Sequence, residues 1–240
     1  MARHDIAPVE LRNRLLAALA VRGGKDFFQY LEIVSLADNA VLYEQGDRIK
    51  YVYFPASAVI SMISVMEDGA SVEIASIGNE GVVGIPVFLG VDTAVAKGVV
   101  QAAGQALRID SEVFKAEAGE VGPLHTLLTQ YTHALLTQIS RSGACNSLHS
   151  AEKRFARWLL TMQDRSRSNE FLFTQEFLSE MLGVRRPSVS FVTRKLQKAG
   201  YIIYGRKKIK IIDRAGLQAV SCECYKVLKE EYDRVFADVG

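Results

Sequence analysis

Hydrophobic positions follow two different spacings along the chain. From about Ile33 to Ile109 apolar residues come in short runs that alternate with polar ones, as in Tyr51-Val52-Tyr53-Phe54 and Val59-Ile60-Ser61-Met62-Ile63. Turn residues separate the runs at Gly46-Asp47, Asp68-Gly69 and Asn79-Glu80-Gly81. A period of two between tight turns predicts short antiparallel strands that close into a small barrel or roll. The stretch VVGIPVFLG reads as one more of these runs. Before it, Val9, Leu11, Leu15, Leu16 and Leu19 predict one or two short helices broken at Gly23-Gly24.

After Ile109 the period becomes helical. A short helix is predicted from Asp110 to Glu120. A long one then runs from Leu124 to about Arg141 or Cys145. Leu124, Leu128, Tyr131 and Leu135 recur in steps of four and three, with Leu127, Leu136 and Ile139 widening the stripe. That stripe is read as a dimer seam, with a purely intramolecular core helix as the alternative. Gly143 weakens the helix and Asn146-Ser147 can cap the next, which predicts a boundary near residue 145. An amphipathic helix follows from Ser150 to Arg165, with Phe155, Trp158, Leu159 and Met162 inward. A polar break covers Arg165 to Glu170, and the last helix is predicted as one piece, Arg214 to Phe236.

The sharpest local pattern is FTQEFLSEMLGVRRPSVSFVTRKL, Phe173 to Leu196. Phe177, Leu178, Met181 and Leu182 fall at helical spacing, and Val184, Val189, Val192 and Leu196 resume the face after Gly183. Thr174 is placed to cap the first helix, Gly183 to end it with a positive φ, and Pro187 to sit in the first turn of the second. Ser179 is small where the two helices meet. The outward set Arg185, Arg186, Ser188, Ser190, Arg194 and Lys195 is cationic or hydrogen-bonding, as an element lying in a DNA major groove requires. Beyond it, Tyr201 to Tyr204 and Ile209 to Ile212 predict a hairpin whose tip carries Arg206, Lys207 and Lys208.

Charge sharpens this division. Residues 1–145 carry 11 Lys and Arg against 16 Asp and Glu, whereas residues 146–240 carry 18 against 11. Between Arg185 and Lys210 there are nine basic residues and no acidic one, a single-sign field that attracts phosphate. No apolar run reaches membrane-spanning length, and Arg12, Arg14 and Arg22 interrupt the apolar residues near the start. The expected location is therefore cytoplasmic, without a membrane partner.

The chain resembles the Crp/Fnr superfamily of bacterial regulators over nearly its whole length. The residues that carry the resemblance are the turn Glu44-Gln45-Gly46-Asp47, the segment Gly78 to Gly90, SAEKRFARWLL and TQEFLSEMLGVRRPSVS. It implies an α+β fold: an N-terminal antiparallel β-roll of the cyclic-nucleotide-binding type with a long dimerisation helix, then a C-terminal winged helix-turn-helix. The corresponding division is residues 1–120 for sensing, 121–145 for dimerisation and 146–240 for DNA binding. A homodimer on a palindromic operator is implied, with double-stranded DNA, RNA polymerase and a small-molecule effector of unknown identity as further partners. Arg186 matches the family's first base-reading arginine and Ser188 a phosphate-binding hydroxyl. Thr174, Gln175, Arg185, Ser190, Arg194 and Lys195 complete the expected DNA contacts, with Arg206, Lys207 and Lys208 gripping phosphates. Pro187 and Phe191 replace a glutamate and a second arginine that the family often has, which implies a different operator.

The sensor departs further. Members that bind cyclic AMP hold its ribose with a glutamate just after a glycine, and its phosphate with an arginine about ten residues later. Here Gly84 is followed by Ile85-Pro86, and the phosphate position lies within Thr93-Ala94-Val95-Ala96, with Lys97 the nearest cation. Cyclic AMP is therefore not the expected effector, and a constitutive regulator with a solidly packed barrel is the alternative. No histidine lies between Ile33 and Ile109, and no catalytic constellation of nucleophile and base is visible there, so neither enzyme activity nor a cofactor is expected. His125 and His133 read as polar surface or interface residues. Cys145, at the end of the long helix, is a candidate redox switch, with a buried structural thiol as the alternative. Cys222 and Cys224 would diverge on a continuous helix, so no metal site is expected.

Overall fold

The structure is a computed structural model that describes residues 10–205 and 207–237; Val9 and Arg206 lie outside the described residues. Helix α1 (Arg14–Val21) is capped by Asn13, whose side chain accepts from the Leu16 N–H at 3.1 Å. The buried amide of Asn13 also donates to the Pro55 and Gly81 carbonyls at 2.9 and 2.8 Å, tying α1 to the β-roll.

The roll consists of β1 (Glu32–Leu36), β2 (Val41–Tyr43), β3 (Tyr51–Pro55), β4 (Val59–Val65), β5 (Ser71–Ile77), β6 (Lys97–Ala102) and β7 (Gly104–Asp110). Two antiparallel sheets have the orders β1-β7-β3 and β2-β6-β4-β5. The expected strand over VVGIPVFLG is corrected: Ile85–Phe88 forms the short helix α2. Gly84 enters it at φ 114°, and Pro86 in its first turn favours a helix start over a ladder position.

Helix α3 (Ser111–Gly119) is capped by Asp110. Helix α4 (Pro123–Leu148) continues past Gly143, longer than expected, because Ser150 caps α5 (Ala151–Ser166) in place of Asn146-Ser147. The polar break after α5 contains β8 (Glu170–Leu172), which joins the wing strands β9 (Ile202–Gly205) and β10 (Lys208–Ile211) in the order β8-β10-β9. Between them lie α6 (Gln175–Leu182) and α7 (Arg186–Lys198). The single C-terminal helix is corrected to two, α8 (Arg214–Val220) and α9 (Cys224–Val235), broken at Ser221–Glu223.

Two cores result. Trp158 packs edge-on to Phe173 at 4.9 Å inside the second, which holds α5 to α8 and the wing. The first core fills the roll and is closed by α4, where Leu124, Leu127, Leu128 and Tyr131 are buried. Tyr232, Val235 and Phe236 at the C-terminal end join the same core, so α9 returns to lie against α4.

This corrects the expected seam. Leu124, Leu128 and Tyr131 face the chain's own β-roll, Tyr131 donating to the Val82 carbonyl at 3.2 Å, and Leu135 is half-buried against the same core. Steps of four and three identify an apolar face but not what covers it. Among the apolar residues that α4 leaves outward are Leu136 and Ile139, 58 and 36 % exposed, with Leu148 exposed at its last position.

Candidate nucleic-acid interface

The helix pair forms from local signals. Thr174 Oγ1 accepts from the Phe177 N–H at 3.0 Å, and Gly183 closes α6 with φ 58°. The Ser179 hydroxyl donates to the Val184 carbonyl and so holds the turn between the helices. Leu178, Met181 and Leu182 of α6 and Val189, Val192 and Leu196 of α7 are buried together, which turns the other side of α7 outward.

On that outward side Arg185, Arg186, Ser188, Arg194 and Lys195 are exposed and Ser190 is half-buried. Thr174 and Gln175 are exposed at the start of α6. Arg186 Nη2 pairs with Glu176 at 2.5 Å, both side chains more than 60 % exposed. Such an exposed pair is worth only about 0–1 kcal/mol, so a nucleic-acid acceptor can displace it. Lys195 pairs with Glu152, and Arg194 Nε donates to the Ser190 carbonyl at 3.2 Å. Phe191 is 67 % exposed on the same helix, so an apolar ring stands among the cations.

The wing stands beside this face. Lys207 is exposed at its tip with φ 67°. Lys208 and Lys210 bracket Glu170 of β8 at 2.5 and 3.2 Å, and hydrogen bonds from them, Lys208 foremost, hold the Glu170 carboxyl below the usual carboxylate range. Of the three expected phosphate-gripping residues, Arg206 lies outside the described residues and Lys207 and Lys208 stand at the tip.

In the roll a cavity of about 260 Å³ lies between β4, β5, α2 and α4. Its walls include Ile74, Ile77, Ile85, Val95 and Leu135, and no charged side chain lines it among the described residues. Gly84, Pro86, Ala94 and Val95 occupy the wall where a cyclic nucleotide's ribose and phosphate ligands were sought. Lys97 is engaged elsewhere, paired with Glu44 at 3.0 Å.

Cys145 is fully buried at the end of α4. Because the chain breaks before α9, Cys222 and Cys224 do not diverge on one helix: both turn towards Cys145, and His149 completes the group. The expectation of separated thiols is corrected on this point. The hydrogen bond shared by Cys145 and Cys222 pushes the Cys145 thiol down and the Cys222 thiol up. His125 is half-buried against Phe88, and exposed His133 lies 3.0 Å from Glu231.

Sequence reasoning also missed Arg165 and Glu80, a buried ion pair between α5 and the turn after β5. An isolated arginine in the last turn of a helix carries no signal that it will be enclosed.

A β-roll closed by a long helix and followed by a winged helix-turn-helix defines a class of DNA-binding regulators. The family comparisons agree: a cyclic nucleotide-binding domain matches residues 33–119 and a Crp-like helix-turn-helix domain residues 153–220. The chain belongs to the Crp/Fnr superfamily and is a transcription regulator of that type. No curated protein matches it. Solved structures with the same fold include FixK2 from Bradyrhizobium japonicum, 16 % identical over 80 % of this chain and 98 % of that one, with a TM-score of 0.61. A Crp-family regulator from Thermus thermophilus is 15 % identical over 78 % of this chain and 96 % of that one, with a TM-score of 0.64. A second regulator from the same organism is 20 % identical over 79 % and 98 %, with a TM-score of 0.60.

Proposed function

We propose that this chain acts in the cytoplasm as a homodimeric, sequence-specific regulator that reads a palindromic operator through α7 and the wing. The observation that carries the reading is Arg186, exposed in the first turn of α7 with Arg185, Ser188, Arg194 and Lys195 on the same outward side. A guanidinium there can pair bidentately with guanine, while the lysines of the wing tip add affinity for phosphate without sequence. Residues 1–120 would sense, 121–145 would carry the dimer contact and 146–240 would bind DNA. The outward Leu136 and Ile139 of α4 supply the apolar contact for a second copy. Two recognition helices related by that twofold would enter successive major grooves about 34 Å apart.

The effector we infer is a small apolar molecule rather than cyclic AMP. A phosphate buried in the roll cavity would meet no cation from its walls, and an unpaired buried charge is too costly for a working ligand. The presence of a cavity favours a ligand over a solidly packed, constitutive barrel. RNA polymerase completes the proposed partners. Selection of DNA from a random pool by the purified protein tests the reading: enrichment of a twofold-symmetric site supports it, and recovery of no common sequence contradicts it.

A further inference from the structure

Four side chains that DNA reading does not use converge where α4 ends and α9 begins. Cys145 and His149 lie one helical turn apart at the end of α4, so both project to one side. Cys222 and Cys224 arrive from the break between α8 and α9. Cys145 Sγ is 3.5 Å from Cys222 Sγ, Cys224 Sγ is 3.8 Å from His149 Nδ1, and all four candidate ligand atoms lie within 4.8 Å of one another. In a tetrahedral site, zinc–sulfur bonds of about 2.3 Å and zinc–nitrogen bonds of about 2.0–2.1 Å put ligand atoms roughly 3.4–3.8 Å apart. The group therefore needs only a small contraction to close on an ion.

The surroundings are arranged for the same purpose. His149 Nε2 lies 3.3 Å from the Glu223 carboxylate. With the proton held there, Nδ1 presents its lone pair to the thiols, the carboxylate–histidine arrangement common behind metal sites. Three thiolates and a divalent ion leave one negative charge. Arg157 acts electrostatically on all three cysteines and Arg154 on Cys145 and Cys222. The Nε atoms of both arginines are buried without a hydrogen-bond partner among the described residues. The three cysteines are buried and His149 is largely so, which leaves no open position for a substrate.

We propose that Cys145, His149, Cys222 and Cys224 bind one zinc ion in a closed tetrahedral site. Three thiolates with one imidazole suit zinc, and a fully protein-ligated ion serves structure rather than chemistry. The ion would clip the end of α4 to the start of α9, joining positions 77 residues apart on either side of the helix-turn-helix and wing. It would thereby fix the placement of the DNA-reading unit on the long helix.

The test uses the full chain purified under reducing conditions, with elemental analysis and cobalt replacement. One zinc per chain is expected, with cobalt giving the intense visible and thiolate charge-transfer bands of a tetrahedral site. Cys222→Ser and His149→Ala should lose them, whereas His149→Cys, which supplies a fourth thiolate, should retain metal with a shifted cobalt spectrum. Glu223→Gln should bind zinc about 10–100-fold more weakly. A folded wild-type chain with three freely titratable thiols that takes up neither zinc nor cobalt would overturn the proposal, as would recovery of an iron–sulfur chromophore. These readouts need no DNA, so they stand or fall apart from the operator reading.

Discussion

Arg165 and Glu80 form an ion pair of 2.7 Å with both side chains buried, 7 and 6 % exposed, and so join the DNA-binding half to the β-roll. The guanidinium also donates to Gln138 of α4 at 2.8 Å and to the Ser76 hydroxyl. Tyr232 of α9 donates to the same Gln138 oxygen at 2.7 Å. Glu80 in turn accepts from the Gly78 N–H at 3.1 Å, and a side chain at Gly78 would strike Arg165 Cβ at 2.5 Å. Helices α4, α5 and α9, strand β5 and the turn after it thus meet at one charged pair, where a shift of α4 or the roll is felt by α5.

Removing one partner strands the other charge in the interior. Arg165→Met or Glu80→Gln should each destabilise the chain by about 3–5 kcal/mol, and the double replacement by clearly less than the two losses added. Urea unfolding of the four proteins measures this. Additive losses would show that the pair is not coupled.

Glu73, on β5 under α6, gives a pH dependence. Burial holds its carboxyl above the usual range, opposed by hydrogen bonds from Ser61 and Gln101 and by Arg157 and Arg165. A raised folded value means that the folded chain holds its proton more tightly than the unfolded chain. This carboxyl therefore costs no stability below the unfolded value near 4.5, and its cost grows as pH rises through the folded value. Glu73→Gln should raise the melting temperature at neutral pH relative to the parent, with the advantage shrinking towards pH 4. A constant difference at both would contradict the assignment.

Leu136→Asp with Ile139→Asp should shift the sedimenting species from dimer to monomer, both side chains being exposed on α4 at the edge of the roll cavity. Leu128→Ala should instead cost about 2–5 kcal/mol of stability through the cavity left in the roll core. Dissociation by Leu128→Ala alone, with Leu136 and Ile139 inert, would return the seam to the other face.

Calorimetry with cyclic AMP at physiological concentration should show no binding, because Ala94 and Val95 stand where a phosphate cation is required. Micromolar binding would contradict the apolar assignment of the cavity.

What was legible in the sequence was local. Thr174, Gly183 and Pro187 mark the ends of α6 and α7 by capping, left-handed backbone and a missing N–H, signals that need no tertiary context. The strands of the roll follow from alternation and turn residues in the same way. Burial of Arg165 on Glu80 depends on elements far apart in sequence, and so does the choice of which side of α4 faces inward. The thiol group shows where the reading stopped short. Cys145 and His149 at helical spacing were a usable signal, but Cys222 and Cys224 converge only because the chain breaks at Ser221–Glu223. Polar and small residues there carry no strong stop, so the periodicity read as one helix.

In the proposed function α7 reads bases while the wing grips backbone. Binding of the selected operator, and of versions changed at each position, should be measured for the parent, Arg186→Ala and Lys207→Ala with Lys208→Ala over a range of salt. Loss of Arg186 should cost about 1–3 kcal/mol at one guanine position and relax discrimination there. Loss of the two lysines should weaken all sequences alike and flatten the salt dependence. A uniform loss for Arg186→Ala, with sequence preference unchanged at every position, would contradict the account.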